Sequence, residues 1–439
     1  MAGEAEEIIR RLRNELQAGG KIDLAATEVA LRAALLGRGA QMLQQALEEA
    51  APHLSGMGQC KGTQTRDMIT LLGTIRVQRP YYHGWTPQGE RRGTYPLDEA
   101  LGLNGRYTPG AARLITRMAA QMPFEEIGNA LWESAGVRVE PRSMHRLLQR
   151  TAPAVAAAMG MLGAIPDPEE GEEQEEIPTL YLELDGTGVP MRKDALAGRV
   201  GRQADGSART REAKLGVVFT QHEVTKDGEP VRDPKSCTYV GTTGGADEVA
   251  ARLRREGLRR GIATAGEVVA LGDGAAWIWE RIRQIAPQAV CILDFYHASE
   301  HLQALARALD GPDEVGAESR CVRWRSALKQ SRLQDVLEEA LRDRPRSGVR
   351  RAAAMAEIGY FENNRSRMDY RRYREKGWFI GSGVVEAGCK SVIGSRMKQS
   401  GMFWGEAGAE AMLGLRCVYK SNLYQYCWNT AYPAPARSA

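Results

Sequence analysis

No C-x-x-C pair, no H-E-x-x-H order and no apolar run near the ~18 residues of a membrane helix occurs in the chain. The seven cysteines, at 60, 237, 291, 321, 389, 417 and 427, are an odd and dispersed set. They argue for reduced thiols in a cytosol and against a disulfide scaffold or a structural zinc centre. The start, MAGEAEEIIRRLRNELQ, alternates charge with apolar residues at helical spacing and lacks the uncharged core of a signal peptide. What is present is ordinary globular composition, 43% hydrophobic and 26% charged. At 439 residues the chain exceeds the ~250–300 at which single cores stop growing, so two or three domains are expected. The net charge of +4 is small but unevenly placed. Residues 341–376 carry eleven Lys or Arg against five acids, interleaved with tyrosines, and Arg371, Arg372 and Arg374 form their densest cluster. Such a segment suits a phosphate backbone, and equally a solvated helical face.

PDPEEGEEQEEIP (166–178) cannot build a core and is read as a flexible acidic linker. Residues 1–165 before it are expected to be mostly helical, with a small hairpin over DMITLLGTIRVQRPYYHGW (67–85). FEEIGNALWESAGVRVEPRSMHRLLQR (124–150) reads as two short helices around a glycine turn, with Ser143 capping the second. It ends on Arg146 and Arg150, a pattern that fits a helix-turn-helix, and also helical hairpins that never touch DNA. After the linker, strands are expected at 179–184, 213–225, 237–241, 267–271 and 289–293, with a basic loop between the first two and helices before and after the fourth. This is the order of a ribonuclease H-like mixed α/β sheet, its first part spanning 179–294. An all-helical insertion follows over 295–380, then a final part of the core over 381–425 and a tail over 426–439.

In that topology the first and fourth strands are parallel neighbours, and ligands of open sheets gather at the carboxyl ends of strands. Asp185 in LYLELDGTGVP, Asp273 in LGDGAAW and Asp294 in CILDFYH each follow one of three such strands. Alone, Asp185 is either a turn former or one arm of a metal site; three acids on one edge favour the second. Hard divalent ions take oxygen ligands, and a pair of them serves phosphodiester chemistry. Glu386, in GSGVVEAGCK, is the candidate third acid, with first-turn helix capping as its bland alternative. Lys390, Arg396 and Lys398 follow it as candidate phosphate contacts. His297 and His301 stand one helical turn apart, and without a third ligand nearby zinc is not expected there.

LELDGTGVP, VVFTQ, LGDGAAWIW, DFYHASEHL and GSGVVEAGCKSVIGSRMKQSGMFW resemble bacterial insertion-sequence transposases of the ISKra group, relatives of the Mutator-like DDE enzymes. The resemblance spans about 65–418 and its last block is the most specific. It implies a ribonuclease H-like core in which Asp185, Asp273 and Glu386 hold the DDE positions. Asp294 and His297 match the acid-x-x-His element after the second aspartate, where the His helps to hold DNA near the scissile phosphate. It further implies two Mg²⁺ or Mn²⁺ ions, cleavage at terminal inverted repeats and joining to target DNA. A homodimer or larger assembly on DNA, in the bacterial cytoplasm at the nucleoid, completes the expectation. Relatives often carry paired cysteines after the tyrosine pair; YYHGWTPQGERRGTYPLDEALGL has none, so the hairpin folds without zinc or has lost that role. An idle DNA-binding remnant, or a nuclease that cuts without joining, are the alternatives left open.

Overall fold

In the computed structural model, residues 3–85, 89–163, 176–201, 206 and 208–434 are described. The chain divides into two compact units, Met1–Pro153 and Ala154–Ala439.

The first unit opens on helices α1 (Gly3–Gln17) and α2 (Leu24–Ala50), the latter capped by Asp23, whose carboxylate accepts from the Ala26 N–H at 3.0 Å. The carboxyl half of α2 lies on a three-stranded meander of β1 (Gln59–Thr70), β2 (Gly73–Trp85) and β3 (Arg91–Thr94). Met68, Ile75 and Val77 from the sheet, with Ala51 and Leu97, form its core, and Leu43 and Leu47 pack on it. The hairpin expected over 67–85 is longer, because β1 starts at Gln59. Residues 59–65 are exposed, so ladder hydrogen bonds to β2 hold them and no apolar periodicity announces them.

The meander is also held by charge. Arg79 is buried, its Nε lies 2.9 Å from the Asp98 carboxylate, and its guanidinium stacks 3.6 Å over Tyr95; Arg66 bonds the same carboxylate from the other side. Removing one partner of a buried pair leaves the other uncompensated, which costs ~3–5 kcal/mol. Asp98→Ala is therefore expected to destabilise this unit by about 3 kcal/mol. The check is calorimetry with hydrogen exchange, where the amides of β1 and β2 should lose protection first.

Helices α3 (Pro96–Ala100), α4 (Pro109–Ala119), α5 (Phe124–Ala135) and α6 (Pro141–Met159) follow. Gly136 ends α5 in the left-handed conformation, φ 63°, as the glycine turn required. Ser143 is not the cap of α6: Pro141 starts that helix, and the Ser143 hydroxyl pairs with the Tyr107 hydroxyl at 2.6 Å. Nor is α6 short; it runs 19 residues through Pro153, and the unit boundary falls inside it rather than at 165. Of the acidic segment 166–178, residues 166–175 lie outside the described residues.

The second unit is built on a five-stranded mixed sheet of β4 (Thr179–Pro190), β5 (Thr210–Gln221), β8 (Thr238–Thr242), β9 (Glu267–Gly272) and β10 (Val290–Leu293). Their spatial order is β10–β9–β4–β5–β8. Between β5 and β8 stands a two-stranded ribbon, β6 (Glu223–Val224) and β7 (Pro230–Val231). β4 is antiparallel to β5 and parallel to β9, and β10 is parallel to β9. A crossover through α7 (Ala246–Arg259) returns the chain beside its first strand, and β4 and β9 pair in parallel as expected for strands one and four. Helix α8 (Ala276–Ile285) links β9 to β10.

Helices α9 (Phe295–Asp310), α10 (Glu314–Lys329), α11 (Leu333–Asp343), α12 (Gly348–Asn364) and α13 (Tyr370–Glu375) then intervene. Arg320 knots three of them, bonding Asp310, Glu339 and Asp343 at 2.8–2.9 Å, while the Trp324 indole donates to Glu339. Next come α14 (Gly383–Gly388), a π-helical segment (Cys389–Gly394), α15 (Ser395–Met397) and α16 (Glu406–Lys420). The segment read as a tail from 426 is instead the body of α17 (Tyr424–Ala431), which buries Cys427 and Trp428.

Candidate active site

Strand β4 does not turn at Asp185. It continues to Pro190 against β5, with Asp185 opposite Leu215, and what ends near Asp185 is the pairing with β9. The glycines keep the strand clear of its neighbours: a Cβ on Gly186 would collide with the Glu212 carboxylate and one on Gly188 with Thr210. The last parallel pair is Glu183 with Leu271, so two further steps in register would set Asp185 opposite Asp273. On the other side Leu293 pairs with Gly272, so Asp294 follows beside Asp273. Three acids thus end a row across three neighbouring strands that lie ~4.8 Å apart.

Each is fixed differently. Asp185 accepts the Gly186 N–H on Oδ1 at 2.6 Å and the Cys389 thiol on Oδ2 at 3.3 Å. Burial raises its pKa and the charges of Asp273 and Glu212 raise it further, against those two hydrogen bonds. Asp273 accepts the Ala275 N–H at 2.9 Å, and its carbonyl accepts the Tyr360 hydroxyl at 3.0 Å. Asp294 is buried and caps α9 through the His297 N–H at 2.7 Å; its other oxygen takes the Ser382 N–H and, at 2.7 Å, the Ser382 hydroxyl. Both oxygens of Asp294 are therefore committed, one to the start of α9 and the other to Ser382, which makes it a positioning group rather than an open ligand.

Glu386 lies exposed in the first turn of α14. Burial raises its pKa first, then the charge of Asp294; Lys390 opposes this and Asp185 adds to it. Asp185 is thus in electrostatic reach of both Asp273 and Glu386. The π-helical segment from Cys389 widens the helix just past Glu386 and turns the Cys389 thiol toward Asp185.

The residue that sequence reasoning missed is Glu183. It is fully buried, on the same face of β4 as Asp185, and accepts the Val385 N–H on Oε2 at 2.6 Å; Oε1 has no hydrogen-bond partner among the described residues. Burial pushes its carboxyl well above the usual range, and Asp294 and Glu386 add to the shift. Its signal was an acid between Leu182 and Leu184 in an otherwise apolar strand. Tyr360 was missed as well. Its hydroxyl reaches Asp273, its ring stacks on His301 at 3.6 Å, and Gly274, at φ +96°, leaves the room it needs. Nδ1 of His301 bonds Glu357 at 2.6 Å, so His301 packs beneath the site, while half-exposed His297 lies edge-on to it.

The predicted phosphate contacts separate. Arg371, Arg372 and Arg374 are exposed on α13, with Arg371 2.9 Å from Glu375 and Arg374 3.7 Å from Glu229. Lys390 and Lys398 are exposed near Glu386 and Thr187. Arg396 is buried, its guanidinium against Met402 and the Trp404 ring, so it supports the fold and presents no charge to a DNA surface. In the first unit Arg146 and Arg150 are exposed one turn apart on α6, Arg150 donating to the Asn104 carbonyl at 3.3 Å.

The donor set suits a hard divalent cation, being carboxylate oxygens whose mutual repulsion such an ion would relieve. Among the described residues, however, no three His, Cys, Asp or Glu side chains gather closely enough to hold one. Asp185 and Asp273 are turned instead to nearby backbone N–H groups. Among the described residues no helix is long and apolar enough to cross a membrane.

No family model matches the chain. It is 23% identical over 376 residues to the UPF0236 protein in the vanSb 3′ region of Streptococcus gallolyticus, covering 84% of this chain and 76% of that one. Among solved structures it is similar to the Drosophila P element transposase strand transfer complex, at 8% identity and a TM-score of 0.27, over 72% of this chain and 79% of that chain.

Proposed function

We propose that the chain is a DDE transposase with a ribonuclease H-like catalytic core, cutting DNA at the ends of an insertion sequence and joining those ends to target DNA. One observation carries the reading. Asp185 within β4 and Asp273 and Asp294 just past the ends of β9 and β10 fall in a row across three adjacent strands, and Glu386 lies in the first turn of a helix whose Val385 N–H bonds Glu183 of β4. Asp185, Asp273 and Glu386 would hold the cations, and Asp294 would keep Glu386 in place by fixing Ser382. Two Mg²⁺ or Mn²⁺ ions bound there would supply activation of a water or 3′-hydroxyl and stabilisation of the leaving oxygen. The partner is double-stranded DNA, as terminal inverted repeats and as target. Lys390, Lys398 and the exposed arginines of α13 meet its phosphates, and His297 lies near the scissile one. Arg146 and Arg150 serve the same end from the first unit.

The test is an excision assay on the DNA that flanks this gene, comparing the intact protein with Glu386→Gln. Excision and joining by the intact protein, lost in the variant, is the expected outcome; equal excision by both would sink the assignment. A second reading, a DNA-binding protein with an idle centre, draws on the absence of a gathered metal-holding trio among the described residues. It predicts end binding with no cutting by either form.

A further inference from the structure

Helix α2 carries a largely exposed apolar line along its first two thirds, flanked by α1. Leu24, Leu35 and Met42 are 57%, 56% and 58% exposed, and α2 buries only Ala34. With Leu31 they stand at helical positions within about 40° of one line, and Glu28 and Arg38, both exposed, fill the gaps in it. A shallow recess of about 430 Å³ between α1 and α2 opens onto this line, lined by Ile9, Arg10 and Arg13 opposite Leu31 and Leu35.

The order along the line is its own complement when reversed. Taken about the level of Ala33, Leu31 and Leu35 are equidistant from the centre, as are Glu28 and Arg38, and Leu24 and Met42. Two copies of α2 laid antiparallel across a two-fold axis would set Leu31 on Leu35, Leu24 on Met42 and each Glu28 against an Arg38 of the other copy. An isologous interface needs one patch to be complementary to itself in this way. A parallel pairing in register would set Glu28 on Glu28 and Arg38 on Arg38, which like-charge repulsion disfavours. We infer that this face of α2 is a homodimer interface, formed by antiparallel pairing of α2 with a second copy of the chain centred at Ala33. The pairing depends on no step of the reaction proposed above.

The test is sedimentation equilibrium of the full chain without DNA, on the unaltered protein, Glu28→Lys, Arg38→Glu and the double reversal. The altered side chains are exposed, and circular dichroism checks that the fold is kept. The unaltered protein should dimerise. Each single reversal, which places like charges together at both symmetric ends, should weaken the dimer roughly tenfold. The double reversal should restore it, because opposite charges then face each other again with their places exchanged. For orientation, Glu28→Cys mixed with Arg38→Cys should cross-link on mild oxidation while Glu28→Cys alone does not. A monomeric unaltered protein, a dimer indifferent to the single reversals, or cross-linking by Glu28→Cys alone would each overturn the pairing.

Discussion

Asp273→Asn is expected to reduce Mg²⁺-dependent cleavage of an end-bearing duplex by about 10³-fold or more while leaving binding of that duplex nearly intact. A catalytic cation accounts for several kcal/mol of transition-state stabilisation, and each 1.36 kcal/mol is a factor of about ten. The substitution isolates charge from shape. The Asp273 oxygen that accepts the Ala275 N–H has an equivalent in the amide, and the Tyr360 hydroxyl bonds the backbone carbonyl, which does not change. The fold should therefore survive, and hydrogen exchange at β9 should match the unaltered protein. A second readout is independent of turnover: calorimetric titration with Mg²⁺ on the DNA complex should lose most of its heat in the variant. Undiminished cutting would remove Asp273 from the chemistry.

The row of acids was legible because an Asp that closes an apolar run announces itself locally, and the crossover rule supplies the neighbour relation between β4 and β9. What lay beyond the sequence is what depends on side chains meeting across the chain. The strand through Asp185 could not be seen to run on, because its continuation is held by ladder bonds to β5 rather than by apolar alternation. Arg396 and Lys398 look alike in a basic helix. Only packing against Met402 and Trp404 separates the buried one from the exposed one. The sequence shows 295–380 only as a helical insertion. Yet the Tyr360 hydroxyl bonds the end of β9 and the Tyr370 hydroxyl bonds Leu293 at 2.9 Å, so the insertion braces both strands from which Asp273 and Asp294 emerge. Nothing in the spacing of tyrosines in 341–376 distinguishes that use from nucleic-acid contact. Some of the charge there is likewise used within the fold, with Arg350 on the Ala308 carbonyl and half-buried Arg367 over the Trp279 ring.

Glu183 is where stability and chemistry meet. Its carboxyl joins β4 to the Val385 N–H at the start of α14, residues that are 202 positions apart. Glu183→Ala leaves that buried N–H unpaired and opens a cavity, so a loss of about 2–4 kcal/mol is expected. With the helix start released, cleavage should fall even where the variant remains folded. Glu183→Gln keeps an oxygen acceptor for Val385 and should retain most of the activity. The pair also carries a signature in pH. Burial, with the charges of Asp294 and Glu386, raises the folded-state pKa of Glu183 above its unfolded value. The folded protein then holds a proton that the unfolded chain releases. Stability from this group is complete below the unfolded pKa, ~4.3, and declines as pH rises toward the folded value. Glu183→Gln cannot titrate, so its unfolding free energy should fall less steeply over that range, and it should gain on the unaltered protein as pH rises. Denaturant unfolding of both proteins across the range from the unfolded pKa to neutrality measures the difference. Parallel profiles would mean that Glu183 is ionised in the fold, and the clamp on α14 would then be a charged one.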